Sequence, residues 1–108
     1  MKLAEKKCVA CEGGIPPLTK VEIQNYLKQV SSEWKLSGIR IVRELKFKNF
    51  KEALVFVNKV GDIAEKEGHH PDIHIERWNQ VRIELYTHAI NGLHENDFIV
   101  AAKIDKLL

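Results

Sequence analysis

Three histidines and a carboxylate lie close together in the second half of the sequence. His69 and His70 are adjacent, His88 follows, and Asp97 comes nine residues after His88. The ordinary pKa of histidine lies nearest neutral pH, so two imidazoles facing one substrate can act as general acid and general base. Elimination of water needs such a pair, because the leaving hydroxyl is protonated while another proton is removed. A carboxylate such as Asp97 could orient one imidazole.

Trp78 lies between the histidine pair and His88, and its ring could form a wall against a planar ligand. The competing interpretation is a metal site, because three histidines and a carboxylate are an acceptable set of zinc ligands. Adjacent residues of an extended segment project to opposite sides, however, so His69 and His70 should rarely chelate one ion. The pattern therefore favours a site without metal.

Each of these residues also has an ordinary structural interpretation. His69 could cap the last carbonyls of a preceding helix, and His88 could simply end a strand. If His94 caps the last helix, Asp97 is its third residue, where a carboxylate reaches back to the helix start. Trp78 could be a core or interface aromatic. The residues alone leave these interpretations open beside the catalytic one.

Length and composition predict one ordinary globular domain. The chain has 108 residues, of which 44% are hydrophobic and 30% are charged. A formal net charge of +2 is too small to predict a nucleic-acid-binding face. No apolar run approaches the roughly 20 residues that cross a bilayer, and the N-terminus lacks the apolar region of a signal peptide. We expect a cytoplasmic protein that binds neither nucleic acid nor membrane.

The first 17 residues are predicted to be a flexible leader, followed by a single domain at 18–108. The leader ends in glycines and prolines, which disfavour regular structure. Cys8 and Cys11 are the only cysteines, and this spacing can be half of a zinc site or a redox pair. A closed zinc site needs four ligands, and a redox pair needs a βαβ context that does not follow. We therefore interpret them as two reduced thiols.

The first helix and the first hairpin follow from capping and periodicity. Thr19 and Glu22 match a capping box, so a helix should begin there. Apolar residues alternate with charged ones over Ile39–Lys48, which predicts a strand with one buried face. A turn at Ser37-Gly38 would pair this strand with a short one that begins near Trp34.

The longest helix should deliver the histidine pair. Asn49 is its predicted cap, and Gly68 ends it in the left-handed position after the last turn. His69 and His70 then lie just past the helix, in an extended segment because Pro71 follows. The apolar face predicted for this helix is Phe50, Ala53, Leu54, Val57, Val60 and Ala64.

A second hairpin and a last helix complete the predicted fold. Ile73 and Ile75 begin a third strand, Trp78-Asn79 could turn it, and His88 ends a fourth strand whose core face is Val81, Ile83 and Leu85. The last helix should bury Phe98, Ala101, Ala102, Ile104 and Leu108. The order α-β-β-α-β-β-α predicts an α+β fold of two layers, with a four-stranded antiparallel sheet and its helices on one face. Open sheet edges invite pairing with another subunit.

The stretch from Glu65 to Asp97 resembles the signature of the pterin-4a-carbinolamine dehydratases. Its elements are Glu65, three residues, His69-His70-Pro71, six residues, Trp78, nine residues, His88, eight residues and Asp97. The resemblance covers essentially the whole chain, including Trp34, Phe47, Asn49-Phe50, Thr87 and the leader from Cys8 to Thr19. Trp78 stands where many members carry tyrosine, and His94 stands where serine or threonine is common.

The resemblance implies a hydro-lyase, a 4a-hydroxytetrahydrobiopterin dehydratase. Its reaction would convert 4a-hydroxytetrahydropterin to quinonoid dihydropterin and recycle the tetrahydropterin, with no metal or organic cofactor. The implied catalytic residues are His69, His70 and His88, with proton transfer by His69 and His88. The implied substrate-binding residues are His70, Trp78 and Glu65, and Asp97 would position His88. Family members form homodimers or homotetramers.

Two other functions stay open beside pterin recycling. Animal members of the family also stabilise the dimer of a transcription factor, so the chain could be a binding module that acts as a dimerisation partner of another protein. It could also be a pterin enzyme in molybdopterin cofactor metabolism. Nothing in the sequence independently supports the first of these roles.

Overall fold

One four-stranded sheet organises the computed structural model, which describes residues 2–10 and 13–108. The strands are β1 (Lys35–Ser37), β2 (Arg40–Lys46), β3 (Asp72–Glu76) and β4 (Gln80–Leu85). Neighbours pair antiparallel in the spatial order β1-β2-β4-β3. The helices are α1 (Lys20–Leu27), α2 (Phe50–Glu67) and α3 (Glu95–Asp105). The predicted α+β fold and its order of elements are confirmed.

One face of the sheet carries the core and the other carries charge. Successive side chains of a strand point to opposite faces, so alternate residues of β4 share one side. On that side Val81, Ile83 and Leu85 are at most 1% exposed and pack in one cluster with residues of α2 and α3. On the other side Arg82 and Glu84 form an ion pair. The helices therefore cover a single face, as predicted.

The capping residues that bound α1 and α2 were readable from the sequence. The hydroxyl of Thr19 accepts a hydrogen bond from the backbone of Glu22, whose carboxylate accepts one from the backbone of Thr19. The side chain of Asn49 accepts from the backbone of Glu52, and Gly68 ends α2 with φ of 66°. Both predicted helix starts and the predicted end of α2 are confirmed.

The buried face of α2 is narrower than predicted. Its buried residues are Ala53, Phe56, Val60 and Ala64. Phe50 and Leu54, which we expected in the core, are 49% and 38% exposed. The cause is geometric: each residue rotates about 100° around a helix, so Leu54 points away from the line through Ala53 and Val60 that faces the sheet. Phe56, which the predicted face left out, is buried on the other side of that line.

Helix α3 is buried nearly all round, because α1, α2 and an N-terminal turn all pack near it. Phe98, Ile104 and three consecutive residues at 99–101 are at most 1% exposed. Leu108, expected on the same face, is 57% exposed because α3 ends at Asp105. None of the helices in the described ranges is long and apolar enough to cross a membrane.

The N-terminal segment packs on α3 along its described part. Leu3 lies in a single turn of 3₁₀ helix, Leu3–Glu5, and is only 4% exposed. Lys6 then forms an ion pair with Glu95 at the start of α3, with 2.8 Å between Nζ and Oε2. Burial of Leu3 was not foreseen for a leader outside the domain. The division of the chain after residue 17 remains a prediction, and Cys11 lies outside the described residues.

Candidate active site

The end of α2, the segment after β4 and the start of α3 meet at one place. Gly68 turns the chain out of α2, so His69 is the first residue of the extended link to β3. His88 begins a 3₁₀ turn, His88–Ile90, shortly after β4, whereas we expected it at the end of the strand itself. This arrangement brings His69 and His88 beside the first turn of α3.

A close backbone contact fixes the loop that carries His88. Thr87 and Gly92 form an isolated antiparallel bridge, and the Thr87 N–H donates to the Gly92 carbonyl at 2.8 Å. On the other side of Gly92, a Cβ atom would lie 2.5 Å from Cβ of Pro17, closer than real atoms approach. Leu18 N–H donates to the Leu93 carbonyl at 2.9 Å. Any side chain at position 92 would therefore force Pro17 or this loop to shift.

Asp97 is fully buried and holds three partners with its two carboxylate oxygens. Oδ1 lies 2.6 Å from His69 Nε2, and Oδ2 accepts from the Thr87 hydroxyl at 2.8 Å and the His94 backbone N–H at 3.0 Å. The predicted capping box of α3, with His94 as cap, is therefore present. The expected partner of Asp97 was His88, and this is corrected to His69. The residue of this loop that contacts the carboxylate is Thr87, through its hydroxyl, and not His88.

The Asp97 contact fixes the tautomer of His69. An ionised carboxylate has no proton to give and can only accept a hydrogen bond. Nε2 of His69 must therefore carry the hydrogen, which leaves a lone pair on Nδ1 in the neutral ring. That is the state in which an imidazole can accept a proton from a substrate.

His69 and His88 line the same cavity, which has a volume of about 360 Å³. This volume falls within the roughly 300–1,000 Å³ of small-molecule sites. The other residues lining it are Cys8, Val9, Ala10, Glu67, Gly68, Thr87, Ala89 and Asn96. A larger cavity of about 720 Å³ lies beside the N-terminal turn and has no histidine in its lining. Chemistry rather than size singles out the cavity between the histidines.

His70 points to the opposite side of the chain from His69, as the extended segment predicts. Its Nε2 lies 2.5 Å from Oε2 of Glu65, one helical turn back on α2. Both side chains are largely exposed, at 60% and 79%. The predicted pair of binding residues is therefore adjacent to the cavity but forms part of the outer surface.

Trp78 lies at the other end of the β3–β4 hairpin. It occupies the turn between the strands, where Trp78 and Arg77 have φ values of 58° and 49°, and it is 65% exposed. The five residues of β3 separate this turn from the histidines, a span of about 17 Å at the rise of a strand. Within one chain the hairpin therefore places Trp78 away from the two histidines, and its role as a wall against the ligand stays a prediction.

Glu67 and Cys8 are site residues that the sequence did not reveal. The side chain of Glu67 is 4% exposed, accepts from the Cys8 backbone N–H at 2.9 Å and pairs with Lys103 at 3.1 Å. Burial works to raise the pKa of Glu67, but these two partners outweigh it and the pKa is lowered. Burial, together with the charge of Glu67, raises the pKa of the Cys8 thiol to about 12. Cys8 is thus a protonated thiol at neutral pH.

Of the cavity residues other than the histidines and Cys8, Thr87 could be singled out from the sequence, as part of the family resemblance. Glu67 and Asn96 read as ordinary helix residues, since their burial depends on the N-terminal segment folding over them. Within 2–10 and 13–108, no three His, Cys, Asp or Glu side chains are grouped so that they could hold a metal ion.

Comparison of the sequence with known protein families identifies the family of this chain. The model of a family described as pterin 4 alpha carbinolamine dehydratase matches residues 16–107, nearly the whole chain. The chain belongs to the pterin 4 alpha carbinolamine dehydratase family. The matched region contains His69, His88 and Asp97.

Individual members of the pterin 4 alpha carbinolamine dehydratase family match over nearly their full length. A protein of Alkaliphilus metalliredigens is 54% identical, over 96% of this chain and 94% of its own. One of Nitrosomonas eutropha is 52% identical, over 98% of this chain and 93% of its own. Both have the provisional name pterin-4-alpha-carbinolamine dehydratase.

A solved structure shares the fold. The crystal structure of a transcriptional coactivator/pterin dehydratase from Brucella melitensis is 33% identical and superposes with a TM-score of 0.77. The match covers 84% of this chain and 97% of that one.

Proposed function

We propose that this protein is a hydro-lyase that dehydrates 4a-hydroxytetrahydropterin to quinonoid dihydropterin. The observation that carries the proposal is the placement of His88 and the His69–Asp97 pair around one cavity of about 360 Å³. Family membership supplies the substrate class, and the two imidazoles supply the acid and base that loss of water needs.

In the proposed reaction the C4a–O bond breaks and a double bond forms between C4a and the adjacent ring nitrogen. The leaving hydroxyl takes a proton from one imidazole and departs as water. The other imidazole takes the proton of the ring nitrogen, so the two transfers balance. No oxidant, reductant or metal is consumed.

The contacts favour His69 as the base and His88 as the acid. Asp97 holds His69 in the tautomer with a free Nδ1 lone pair, as a base requires. His88 is exposed and stacks on Tyr86, with 6.1 Å between ring centroids, so it can exchange protons with water. His70, paired with Glu65 on the outer surface, is assigned to binding the pterin ring.

The test is stopped-flow absorbance on freshly generated 4a-hydroxytetrahydropterin, with a chelator present throughout. We expect His69→Ala and His88→Ala each to lower the rate roughly 10²–10⁴-fold, the usual contribution of a general acid or base. His74→Ala is the matched control, because His74 lies on the charged face of the sheet beside Glu84. Full rate in the variant that lacks both His69 and His88 would rule out the assignment.

The biological setting is also part of the proposal. We assign the activity to recycling of tetrahydropterin in the cytoplasm, by a homodimer or homotetramer. Strands β1 and β3 leave two sheet edges open for pairing, and Val55 and Leu54 of α2 are exposed apolar residues. Light scattering of the purified protein tests the oligomeric state. A molybdopterin setting would instead be favoured if the gene lay beside molybdopterin synthesis genes rather than beside a phenylalanine hydroxylase gene.

A role as a dimerisation partner of another protein is the second candidate. It is favoured only by the name of the Brucella melitensis structure, which includes transcriptional coactivator. Such a role needs no histidine chemistry. A pull-down partner that is retained by the His69→Ala/His88→Ala protein would support it, and loss of that partner in the variant would count against it.

A further inference from the structure

One wall of the cavity comes from the N-terminal segment rather than from the strands and helices. Cys8, Val9 and Ala10 line the cavity together with the two histidines. We call these three residues the N-terminal wall. They follow the buried Leu3 and the Lys6–Glu95 ion pair, so the segment is already tied to α3 before it reaches the cavity.

Two buried side chains hold the N-terminal wall in place. Asn96, only 2% exposed, accepts from the Val9 N–H at 3.0 Å and donates its amide to the Val9 carbonyl at 2.7 Å. Glu67 accepts from the Cys8 N–H at 2.9 Å. A side-chain amide that pairs with both backbone groups of one residue fixes the position and the direction of that residue. The wall is therefore a built part of the cavity.

The two side chains that anchor the wall are neighbours in sequence of His69 and of its partner Asp97. Asn96 precedes Asp97 on α3, and Glu67 lies two residues before His69. The same two helix ends therefore position the wall and the proposed base. A substrate held against His69 must fit the space that the wall leaves.

We propose that the N-terminal wall contacts the substrate and that Asn96 is a positioning residue that sets affinity and selectivity among pterins with different substituents at C6. This inference rests on the proposed function. In a pterin, C4a bonds to N5 and N5 bonds to C6, so the first atom of a C6 substituent lies three bonds from the reacting carbon. Once C4a faces the histidines, that substituent must lie beside the residues that flank them. The wall offers small side chains and backbone at that position.

The experiment compares Asn96→Ala with Lys6→Ala on two 4a-hydroxytetrahydropterins, one with a methyl group and one with a dihydroxypropyl group at C6. Asn96→Ala removes both bonds to Val9, and alanine suits a helix. Lys6→Ala removes a contact of the same segment away from the cavity. We expect Asn96→Ala to raise KM on the order of tenfold for at least one substrate with little change in kcat, and to alter the preference between the two. Lys6→Ala should do neither.

Equal effects of Asn96→Ala and Lys6→Ala on KM and on preference would overturn the inference, since both would then be simple losses of packing. A second variant keeps the test independent of the anchors: Ala10→Trp leaves both anchoring side chains in place and fills the cavity from the wall, so it should also raise KM. If the KM of Ala10→Trp equals that of the wild type, the wall does not contact the substrate.

Calorimetry with a non-reacting oxidised pterin distinguishes failure of the proposed function from failure of the inference about the wall. If the wild type binds this pterin without catalysing dehydration, the reaction assignment fails while the inference is still tested. Weaker binding by Asn96→Ala than by Lys6→Ala then supports the wall, and equal binding overturns it. A wild type that binds no pterin at all also overturns it.

Discussion

Oδ1 of Asp97 lies 2.6 Å from Nε2 of His69, although 28 residues separate them in the chain. The carboxylate is completely buried, and its other oxygen is occupied by Thr87 and by the backbone of His94. One side chain thus caps α3, holds Thr87 in the segment after β4 and orients the proposed base. A single residue couples the stability of the helix start to the chemistry of the cavity.

Asp97→Asn is expected to lower kcat roughly 10²–10⁴-fold. The amide keeps the shape of the side chain, and its oxygen can still accept from Thr87 and His94. Its NH₂ group then faces Nε2 of His69 and donates to it, so the ring hydrogen moves to Nδ1 and the lone pair that the proposed base needs is lost. Steady-state kinetics with a circular dichroism spectrum would separate the catalytic loss from misfolding. The matched control is Thr87→Val, which removes one hydrogen bond from the same carboxylate and keeps its charge. Its loss should be about tenfold or less, and a variant Asp97→Asn with wild-type kcat would contradict the role.

His70→Ala is expected to change KM more than kcat. His70 and its partner Glu65 are largely exposed and lie outside the lining of the cavity. A residue that binds the ring without moving a proton contributes equally to ground state and transition state, so its loss raises KM. Glu65→Gln should show the same pattern more weakly. A fall in kcat as large as that of His69→Ala would instead make His70 a proton-transfer residue.

Trp78→Ala is expected to leave KM within about twofold of wild type. The reason is that the length of β3, about 17 Å, separates Trp78 from the histidines. The measurement is KM at several protein concentrations. A large rise in KM would mean that a second copy of the chain brings its Trp78 to the cavity. Arg77→Ala in the same turn serves as the control for changes in the hairpin itself.

Glu67→Gln is expected to flatten the acid dependence of stability. The pKa of Glu67 is lowered in the folded state, so the unfolded chain takes up a proton first as the pH falls. The stabilisation from ionised Glu67 is therefore complete above its ordinary pKa of 4.5 and is lost as the pH drops through the lower folded value. Urea unfolding between about pH 6 and about pH 3 should show a smaller decline for Glu67→Gln. At neutral pH the variant should be less stable by about 1 kcal/mol, the worth of one hydrogen bond.

Parallel curves for Glu67→Gln and wild type through this range would show that Glu67 is equally ionised in both states. Glu65→Gln on the exposed surface of α2 is the control, because its side chain is 79% exposed.

Cys8 is expected to react slowly with iodoacetamide. The thiolate is the nucleophile, and a pKa raised to about 12 leaves very little of it near neutral pH. In a Cys11→Ser background, the alkylation rate of Cys8 should lie well below that of an unfolded control in urea, and should rise as the pH increases toward 12. A rate equal to that of the unfolded chain would show that the N-terminal wall does not shield the thiol.

Local signals predicted the scaffold well because they act over a few residues. The caps at Thr19 and Asn49, the left-handed Gly68 and the alternation in β4 each depend on neighbours in the chain. Even the opposite directions of His69 and His70 follow from the proline after them. These features placed the histidine pair at the correct end of α2.

Contacts between distant segments could not be read in the same way. The choice of Asp97 for His69 rather than His88 depends on how the chain turns at Thr87. Burial of Glu67 and Asn96 depends on residues 8 and 9, more than fifty positions away, lying across them. A pattern that records only residue types and spacing has no access to which loop covers which helix end.

The lack of space at Gly92 has a genetic consequence. Every replacement there adds at least a methyl group against Pro17, and this pushes the loop of His88 away from the segment that leads into α1. Gly92 is not a reactive residue and touches no substrate in the proposed reaction. We nevertheless expect natural variants and mutational scans to tolerate change at this position as poorly as at His69, because a missense change of one hydrogen to a methyl group displaces half of the acid–base pair.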